Sequence, residues 1–409
     1  MRPALVGLAL LVAGCSPSPA RPAAGQGAVR RLDGSAISFR DVDLTVERLI
    51  AAARVPGLAL AIINDGKVAY LRGYGYRDVA RRAPMTPDTV MVGASFSKPA
   101  FAVAVMQLVG EGRMDLDRPV VEYFPAPLAE DEDYLDLAGD DRLKRITPRM
   151  LLSHTSGLPN WRRFNDDGKL HIEAEPGTRY MYSGEGILLL QRAFFQAIGK
   201  RSTADEMRER VFAPLGMTRT SMVWQPGLAD EAAVGYDAAG KPLGHAHREH
   251  ADAAGSMDTT ARDWAAFLCA VLRGDRLGRA ARAEMLRPQI RIRSAHQFPT
   301  TDPATTDEND AIRLSYGLGW GLLTTPYGPA YFKEGHDDGF QHYSITFERP
   351  RTAIVIMTNS DNGESIFVEL LDTLIGDRFT PWRWERYIPY DRAADQKGDP
   401  SAQSARPMP

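Results

Sequence analysis

Ser95 and Lys98 lie three residues apart, and their residue types and spacing suggest chemistry more directly than any other pair in this sequence. A serine hydroxyl is a weak nucleophile until a base takes its proton, and a lysine in a partly desolvated site can help to take it. Because a helix brings residues three apart onto one face, a helix beginning near Ser95 would place both side chains together. The spacing indicates nucleophilic catalysis by Ser95. The alternative is an N-cap serine followed by a solvated lysine.

The segment after Ser95 has the composition of a buried helix. Residues 100–109 are apolar on almost every side, Pro99 suits a first turn, and Gly110 and Gly112 are stop signals. The start of such a helix carries unpaired backbone N–H groups and the positive end of the helix dipole. These groups would stabilise an oxyanion that forms beside Ser95.

Strand patterns occur near both ends of the chain and helix signals lie between them. The predicted strands cover residues 58–63, 68–71, 316–323, 343–347 and 353–358, the first two joined by the turn Asn64-Asp65-Gly66-Lys67. Helices are predicted after Thr147, Ser202 and Thr260 and over 187–198. This order predicts one mixed sheet built from distant halves of the chain, with a helical insertion.

Composition excludes several classes of protein. The chain has 409 residues, of which 44% are hydrophobic and 25% charged, as in ordinary globular proteins. It has 49 Lys and Arg against 52 Asp and Glu, a net charge of −3, which argues against a general nucleic-acid binder. Two cysteines, Cys15 and Cys269, exclude a disulfide scaffold. Cys269 falls in a predicted helix, where a small buried apolar residue is expected.

The first fifteen residues have the pattern of an export signal. Arg2 precedes an apolar run over 4–13, which is too short to span a bilayer. The sequence Leu11-Val12-Ala13-Gly14-Cys15 resembles the lipobox of bacterial lipoproteins, which implies a signal peptide over 1–15, a lipid anchor on Cys15 and a periplasm-facing membrane location. A plain secretory signal is the alternative. Residues 16–34 are predicted to be a flexible tether.

Two further elements follow the Ser-x-x-Lys motif in order. They are Tyr182-Ser183-Gly184 and Lys333-Glu334-Gly335. Together the three elements resemble those of the serine β-lactamase and penicillin-binding-protein superfamily, which are Ser-x-x-Lys, Ser- or Tyr-x-Asn, and Lys-Thr-Gly. The tyrosine form is similar to class C β-lactamases and to related D-alanyl-D-alanine carboxypeptidases, D-aminopeptidases and carboxylesterases. The likeness runs from about residue 46 to 377 and includes the segments 55–57, 152–158, 214–217, 316–320 and 358–360.

The resemblance implies a fold and a set of roles. The fold would be α/β (α+β), β-lactamase/transpeptidase-like, with a mixed, mainly antiparallel sheet flanked by helices. The catalytic domain would cover 35–385 with an all-helical insertion lobe at about 113–255, followed by a disordered tail over 386–409. Ser95 would form the acyl-enzyme, Lys98 and Tyr182 would share its proton, and Lys333 would add positive charge. The backbone N–H groups of Ser95 and His336 would form the oxyanion hole. Which of Lys98 and Tyr182 is the base stays open, and no cofactor is implied.

The three substrate-binding positions, Gly184, Glu334 and Gly335, include two departures from the family pattern. Gly184 replaces an asparagine amide, and Glu334 replaces a hydroxyl with a carboxylate. β-Lactams and D-Ala-D-Ala peptides present a carboxylate near the second position, so Glu334 is expected to repel them. The favoured substrates are therefore small molecules or peptides with an ester or D-amino-acid amide bond. The alternatives are a class C-like β-lactamase or DD-carboxypeptidase, and a non-hydrolytic receptor for cell-wall fragments.

A histidine-rich segment offers a different chemistry. The run from His245 to His250 resembles the His-x-His-x-Asp-His cluster of metallo-β-lactamases, with Glu249 in place of the aspartate. No buried strand precedes it, so a polar loop without metal is the favoured interpretation. His154 is expected to hydrogen-bond within the turn formed by residues 155–157. Neither the Gly-x-Ser-x-Gly motif of α/β-hydrolases nor a phosphate-binding glycine loop is present.

Overall fold

The computed structural model describes residues 27–392. The strands, in chain order, are β1 (Ala28–Arg30), β2 (Ala36–Ser38), β3 (Gly57–Asn64), β4 (Lys67–Asp78), β5 (Ala83–Pro84), β6 (Met91–Val92), β7 (Gly235–Tyr236), β8 (Pro242–Gly244), β9 (Asp258–Thr259), β10 (Ile290–Arg291), β11 (Ser315–Tyr316), β12 (Gly321–Thr325), β13 (Gly328–Asp337), β14 (Phe340–Phe347) and β15 (Thr352–Thr358). The α-helices are α1 (Phe39–Ala52), α2 (Ser97–Gly110), α3 (Pro148–Leu152), α4 (Gly184–Ala197), α5 (Thr203–Met207), α6 (Ala261–Arg273), α7 (Arg279–Met285), α8 (Phe367–Ile375) and α9 (Trp382–Glu385).

One large sheet is assembled from the two ends of the chain. Its strand order is β10-β11-β12-β13-β14-β15-β3-β4-β5, and every pairing is antiparallel. The two halves meet where β15 pairs with β3, with Ala353 opposite Ile63. The predicted hairpin is β3 and β4, joined at Asn64 and Lys67. The predicted sheet built from distant halves is confirmed.

Both faces of this sheet are covered by helices. On one face, α6 packs against β3 and β15, and the buried helix α2 lies in the same hydrophobic cluster. On the other face, α1 packs against β4 and α8 against β15. The predicted signals of α6 are confirmed: the Thr260 side chain accepts from Asp263 N–H, and Gly274 ends the helix at φ 79°. Cys269 is buried in this helix.

The predicted insertion lobe lies between α2 and β9. It contains α3, α4, α5, several 3₁₀ turns and a π-helical turn at Arg208–Phe212. It also contains the two-stranded sheet of β7 and β8, so it is not all-helical. β6 pairs with β9, which brings the chain on either side of the lobe together. Ser95 lies three residues after β6, at the junction of the lobe and the main sheet.

Within the described residues, folded structure is already present before the predicted boundary at residue 35. Ala28–Arg30 form β1, and Val29 is fully buried, so the tether predicted to reach 34 is too long. At the other end, Tyr387 packs in the core although the predicted tail begins at 386. The signal peptide, Cys15 and residues 393–409 lie outside the described residues. Among the helices of residues 27–392, none combines the length and apolarity needed to cross a membrane.

Candidate active site

Ser95 lies in a tight turn rather than in the α-helix itself. A 3₁₀ turn, Ala94–Phe96, leads directly into α2. Ala94 has φ 48°, a left-handed conformation that disfavours a residue with a Cβ. Gly93 holds the turn from both sides, since its N–H donates to Met257 O at 2.6 Å and its carbonyl accepts from Phe96 N–H at 3.0 Å. The strained turn therefore has a fixed shape that presents the Ser95 side chain.

Ser95 Oγ has two close polar neighbours. Lys98 Nζ lies 2.9 Å from it and the Tyr182 hydroxyl oxygen lies 2.8 Å from it. Lys98 is 1% exposed, and its Nζ also donates to the carbonyl oxygen of Ala254 at 2.6 Å. Lys333 Nζ lies 3.3 Å from the Tyr182 hydroxyl oxygen. The structure thus brings together the four side chains that the three sequence motifs single out.

Tyr182 is held in place by the start of α4 and by a buried histidine. Ser183 caps this helix, since its Oγ accepts from Gly186 N–H at 2.7 Å. The His154 ring packs against the Tyr182 ring at 4.4 Å between centroids, and its Nδ1 accepts from Ser183 N–H at 3.2 Å. The expectation that His154 bonds within its own turn is therefore wrong. The ring is fully buried between two chain segments and supports the tyrosine instead.

The charge of His154 follows from its surroundings. Burial, together with the charges of Lys98 and Lys333, lowers the pKa of His154 well below its ordinary value. The ring is therefore neutral, and because Nδ1 accepts a hydrogen bond, the proton is on Nε2. A neutral ring adds no third positive charge beside the two lysines.

Two adjacent residues of the third motif, Lys333 and Glu334, form an ion pair. Lys333 is fully buried and its Nζ is paired with the Glu334 carboxylate, which also accepts from Gln297 Nε2 at 2.9 Å. Burial opposes the charge of Lys333, but the adjacent Glu334 carboxylate raises the pKa of Lys333 above its ordinary value. Burial and the charge of Glu334 raise the pKa of the nearby Glu385 well above its ordinary value, so Glu385 is neutral. The sequence predicts an uncompensated negative charge at Glu334, but the positive charge of Lys333 balances it.

In the described part of the chain, one edge of β13 is unpaired where the strand passes the turn that carries Ser95. β12 pairs with β13 only as far as Phe332, so within residues 27–392 no strand lies beside Lys333–Asp337 on that edge. The edge lies against the turn that carries Ser95. A Cβ at Gly335 would lie 2.8 Å from Gly93 O, so this approach requires glycine. His336 is next on the strand, and its Nδ1 lies 2.8 Å from a Glu364 carboxylate oxygen.

A second buried histidine, His342 on β14, anchors the same turn. Its Nε2 donates to Val92 O at 2.9 Å, and its Nδ1 accepts from Thr358 N–H at 3.3 Å. Burial lowers the pKa of His342 to about 4. The neutral ring thus links β14, β15 and the strand that leads into Ser95.

We expect acid to destabilise the protein through His342. Between its ordinary pKa near 6.5 and its folded pKa near 4, only the unfolded state takes up the proton. The free energy of unfolding should therefore fall as the pH drops through this window, by about 3 kcal/mol for this one residue. Urea titrations from pH 4.5 to 7 check this. His342→Gln should show a shallower pH slope than the unaltered chain, and equal slopes would contradict the assignment.

Hydrogen bonds and ring stacking hold the histidine-rich segment in place. His245 Nε2 lies 3.1 Å from an Asp258 carboxylate oxygen and its Nδ1 lies 3.1 Å from Ala233 O. His247 stacks on Trp224 at 4.0 Å between ring centroids. Within the described residues, no three His, Cys, Asp or Glu side chains are grouped as metal ligands.

Several residues of this site lie outside the three sequence motifs. They are His154, Ala254, Gln297, His342 and Glu385. His154 lies in the segment 152–158, and the resemblance of that segment to the family was the available signal. Gln297 and Ala254 reach the site through loops with no distinctive pattern.

Comparison with known proteins indicates the same family that the three sequence motifs resemble. The family described as Beta-lactamase matches residues 42–373. Protein flp of Staphylococcus aureus strain MRSA252 is 27% identical over 218 residues, which is 50% of this chain and 42% of that protein. The mitochondrial serine beta-lactamase-like protein LACTB of Mus musculus is 32% identical over 148 residues, 36% of this chain and 24% of that protein. The chain thus spans less than half the length of these relatives.

Two solved structures share the fold. The octameric penicillin-binding protein homologue from Pyrococcus abyssi has a TM-score of 0.66 and 22% identity, over 83% of this chain and 79% of that one. D-alanine carboxypeptidase AmpC from Burkholderia cenocepacia has a TM-score of 0.62 and 22% identity, over 79% and 95%. They confirm the β-lactamase/transpeptidase-like fold. With a family match that covers most of its length, the chain belongs to the β-lactamase family.

Proposed function

We propose that this protein is a serine hydrolase that cleaves ester or amide bonds through an acyl-enzyme on Ser95, as an esterase or D-amino-acid peptidase. The observation that carries the proposal is the position of Ser95 Oγ, 2.9 Å from Lys98 Nζ and 2.8 Å from the Tyr182 hydroxyl. A hydroxyl with two proton-accepting or proton-relaying groups at hydrogen-bond distance is an activated nucleophile. Substitution of Ser95, Lys98 and Tyr182 separates this proposal from a purely structural role for these residues.

In the proposed reaction, Ser95 Oγ attacks the carbonyl carbon while its proton passes to the Lys98–Tyr182 pair. The C–O or C–N bond then breaks, the pair returns the proton to the leaving group, and the acyl group stays on Ser95. Water attacks the acyl-enzyme next and gives a proton to the same pair. The bond between the acyl carbon and Ser95 Oγ breaks, the pair returns the proton to Oγ, and the carboxylic acid product leaves. Lys333 Nζ, 3.3 Å from the Tyr182 hydroxyl oxygen, adds positive charge beside the group that relays the proton.

The tetrahedral intermediate needs donors for its oxyanion. We assign these to the backbone N–H groups of Ser95 and His336. The open edge of β13 and the close contact of Gly335 with Gly93 support this assignment, because they bring the strand beside the nucleophile turn. Fixed backbone donors cost no reorganisation when the charge forms.

The ion pair between Lys333 and Glu334 affects which substrates the site can bind. Lys333 already has the Glu334 carboxylate as its counter-ion, and Glu385 beside them is neutral. A substrate carboxylate at this position would compete with Glu334 for the positive charge of Lys333. We therefore propose substrates that carry no carboxylate there, such as neutral esters and D-amino-acid amides. β-Lactams and D-Ala-D-Ala peptides are the less favoured class.

We expect the purified full-length chain to turn over a chromogenic ester and to react slowly with penicillin. Glu334→Gln frees the charge of Lys333 while keeping the size of the side chain. It should raise penicillin acylation relative to ester turnover by about ten- to a hundredfold. Glu348→Gln is the matched control, because Glu348 pairs with Arg282 outside the site. Acylation rates by mass spectrometry and ester turnover by absorbance provide the two measurements.

The outcomes separate the alternatives. Efficient penicillin or D-Ala-D-Ala turnover by the unaltered chain would replace the proposal with the β-lactamase or carboxypeptidase alternative. Acylation of Ser95 without turnover of any ester or amide would favour the receptor. Loss of activity on adding a chelator would instead indicate that the histidine-rich segment binds a catalytic metal.

We also propose that the protein is exported and anchored to a membrane by a lipid on Cys15. The support is the apolar run over 4–13 and the lipobox-like sequence that ends at Cys15. The Pro-, Ser- and Ala-rich residues that follow would act as a tether to the folded domain.

A further inference from the structure

The second motif leaves a gap beside Tyr182 that another residue fills. Ser183 has extended backbone angles, φ −139° and ψ 114°, so side chains at 182 and 184 leave the chain on the same side. On that side Tyr182 reaches Ser95. A Cβ at Gly184 would lie 2.6 Å from Cη2 and 2.8 Å from Cζ2 of Trp161. The Trp161 indole therefore occupies the space of the missing side chain, on the side of the nucleophile.

The indole is held there by hydrogen bonds on both sides. The carbonyl oxygen of Asn160 accepts from the N–H groups of Gly184 and Glu185, each at 3.0 Å. The Glu185 carboxylate, on a residue only 4% exposed, accepts from Arg162 N–H at 3.0 Å and from Arg162 Nη2 at 2.8 Å. Residues 160–162 are thus clipped to the first turn of α4. The position of Trp161 is set by the folded chain before any substrate arrives.

We infer that Trp161 forms an apolar wall of the substrate pocket and selects substrates that carry an apolar alkyl or aryl group. Trp161 is only partly buried and packs against the core, and the Arg163 guanidinium lies over its ring at 4.9 Å from the centroid, so one face of the indole is covered and the other is available to line the pocket. An indole offers a large rigid apolar face that orders few rotamers when it is covered. A pocket with this wall gains free energy from an apolar group and has no side-chain amide at position 184 to bond a polar one. The inference rests on the proposed hydrolase function and names its substrate class.

The test compares series of p-nitrophenyl esters whose acyl chain grows from acetyl to hexanoyl and benzoyl, and acetate esters whose alcohol grows in the same way. The unaltered chain should prefer the larger apolar groups in at least one series. Trp161→Ala should lower kcat/KM for the larger members by about ten- to a hundredfold and for the smallest ester by less than about threefold. Trp161→Phe should restore most of the preference. Phe164→Ala is the matched control, since Phe164 lies in the same loop and under the same Arg163 side chain.

A second measurement keeps this inference separate from the proposed function. Fluorophosphonates with short and long alkyl chains report recognition by labelling rate alone, without turnover. If the long-chain preference of labelling is the same in Trp161→Ala and in the unaltered chain, the inference is overturned while the nucleophile stands. If the variant slows every ester and both probes equally, Trp161 has only a structural role. If the unaltered chain is neither labelled nor active, the proposed function fails first.

Discussion

Replacing Ser95 with alanine is expected to abolish both labelling by a fluorophosphonate probe and turnover of esters. The loss should be about five orders of magnitude or more in kcat, because the proposed acyl-enzyme forms on the Ser95 hydroxyl. The probe reacts at neutral pH only with an activated hydroxyl, and Ser95 Oγ is the one placed between Lys98 and Tyr182. Intact-mass spectrometry of the probe adduct, followed by peptide mapping, gives the measurement.

Ser97→Ala is the matched control for this experiment. The Ser97 hydroxyl is fully buried, donates to Ala94 O at 2.7 Å and accepts from Met257 N–H at 3.0 Å. Its removal leaves a buried N–H without a partner and should lower the free energy of unfolding by about 1–3 kcal/mol. Labelling of Ser95 should persist. A probe adduct that survives in Ser95→Ala would show that the nucleophile has been assigned to the wrong residue.

The second large effect is expected from the groups that handle the proton. Lys98→Met and Tyr182→Phe keep the shape of each side chain and remove its polar end. Each should lower kcat for acylation by about 10³-fold, and the double variant should lose no more than about tenfold beyond the worse single one. This non-additivity follows because both groups contact the same Ser95 oxygen and act on one proton.

Pre-steady-state acylation rates for the four proteins test the coupling. Tyr331→Phe serves as the control for the tyrosine, because Tyr331 packs against Trp320 in the core cluster that contains α2 and α6. It should leave the acylation rate within a few-fold of the starting value. Fully additive losses in the double variant would mean that Lys98 and Tyr182 serve separate steps.

Local signals in the sequence predicted the elements that depend on local contacts. Thr147 and Thr260 cap their helices as expected, and the turn between Asn64 and Lys67 joins β3 to β4. The strand predicted over 316–323 is instead divided into β11 and β12. A tight turn separates them, with Gly319 at φ 84° and a hydrogen bond from Gly317 N–H to Trp320 O at 2.8 Å. Glycine permits this turn, and the apolar pattern alone gave no sign of it.

The parts of the site that could not be predicted depend on contacts between distant segments. Gln297 reaches Glu334 from a loop, and His154 contacts Ser183, which lies 29 residues further along the insertion lobe. The pairing of Lys333 with Glu334 was also hidden, because adjacent strand residues point to opposite faces and are not expected to bond. The three motifs predict the reacting groups, whereas the electrostatic balance among these groups depends on tertiary structure.

The central pairing of β3 with β15 has a consequence for how the molecule forms. Ile63 lies near the start of the folded chain and Ala353 near its end, yet they are directly opposite in the sheet. Closing so long a loop is slow, since its entropy is lost before the contact is made. A nascent chain therefore cannot complete its core until residues 352–358 have been synthesised. During that interval β3, whose seven residues Gly57–Ile63 are all buried in the finished protein, exposes an apolar edge. Such edges favour aggregation, so folding yield should depend on how the chain is protected before its last strand arrives.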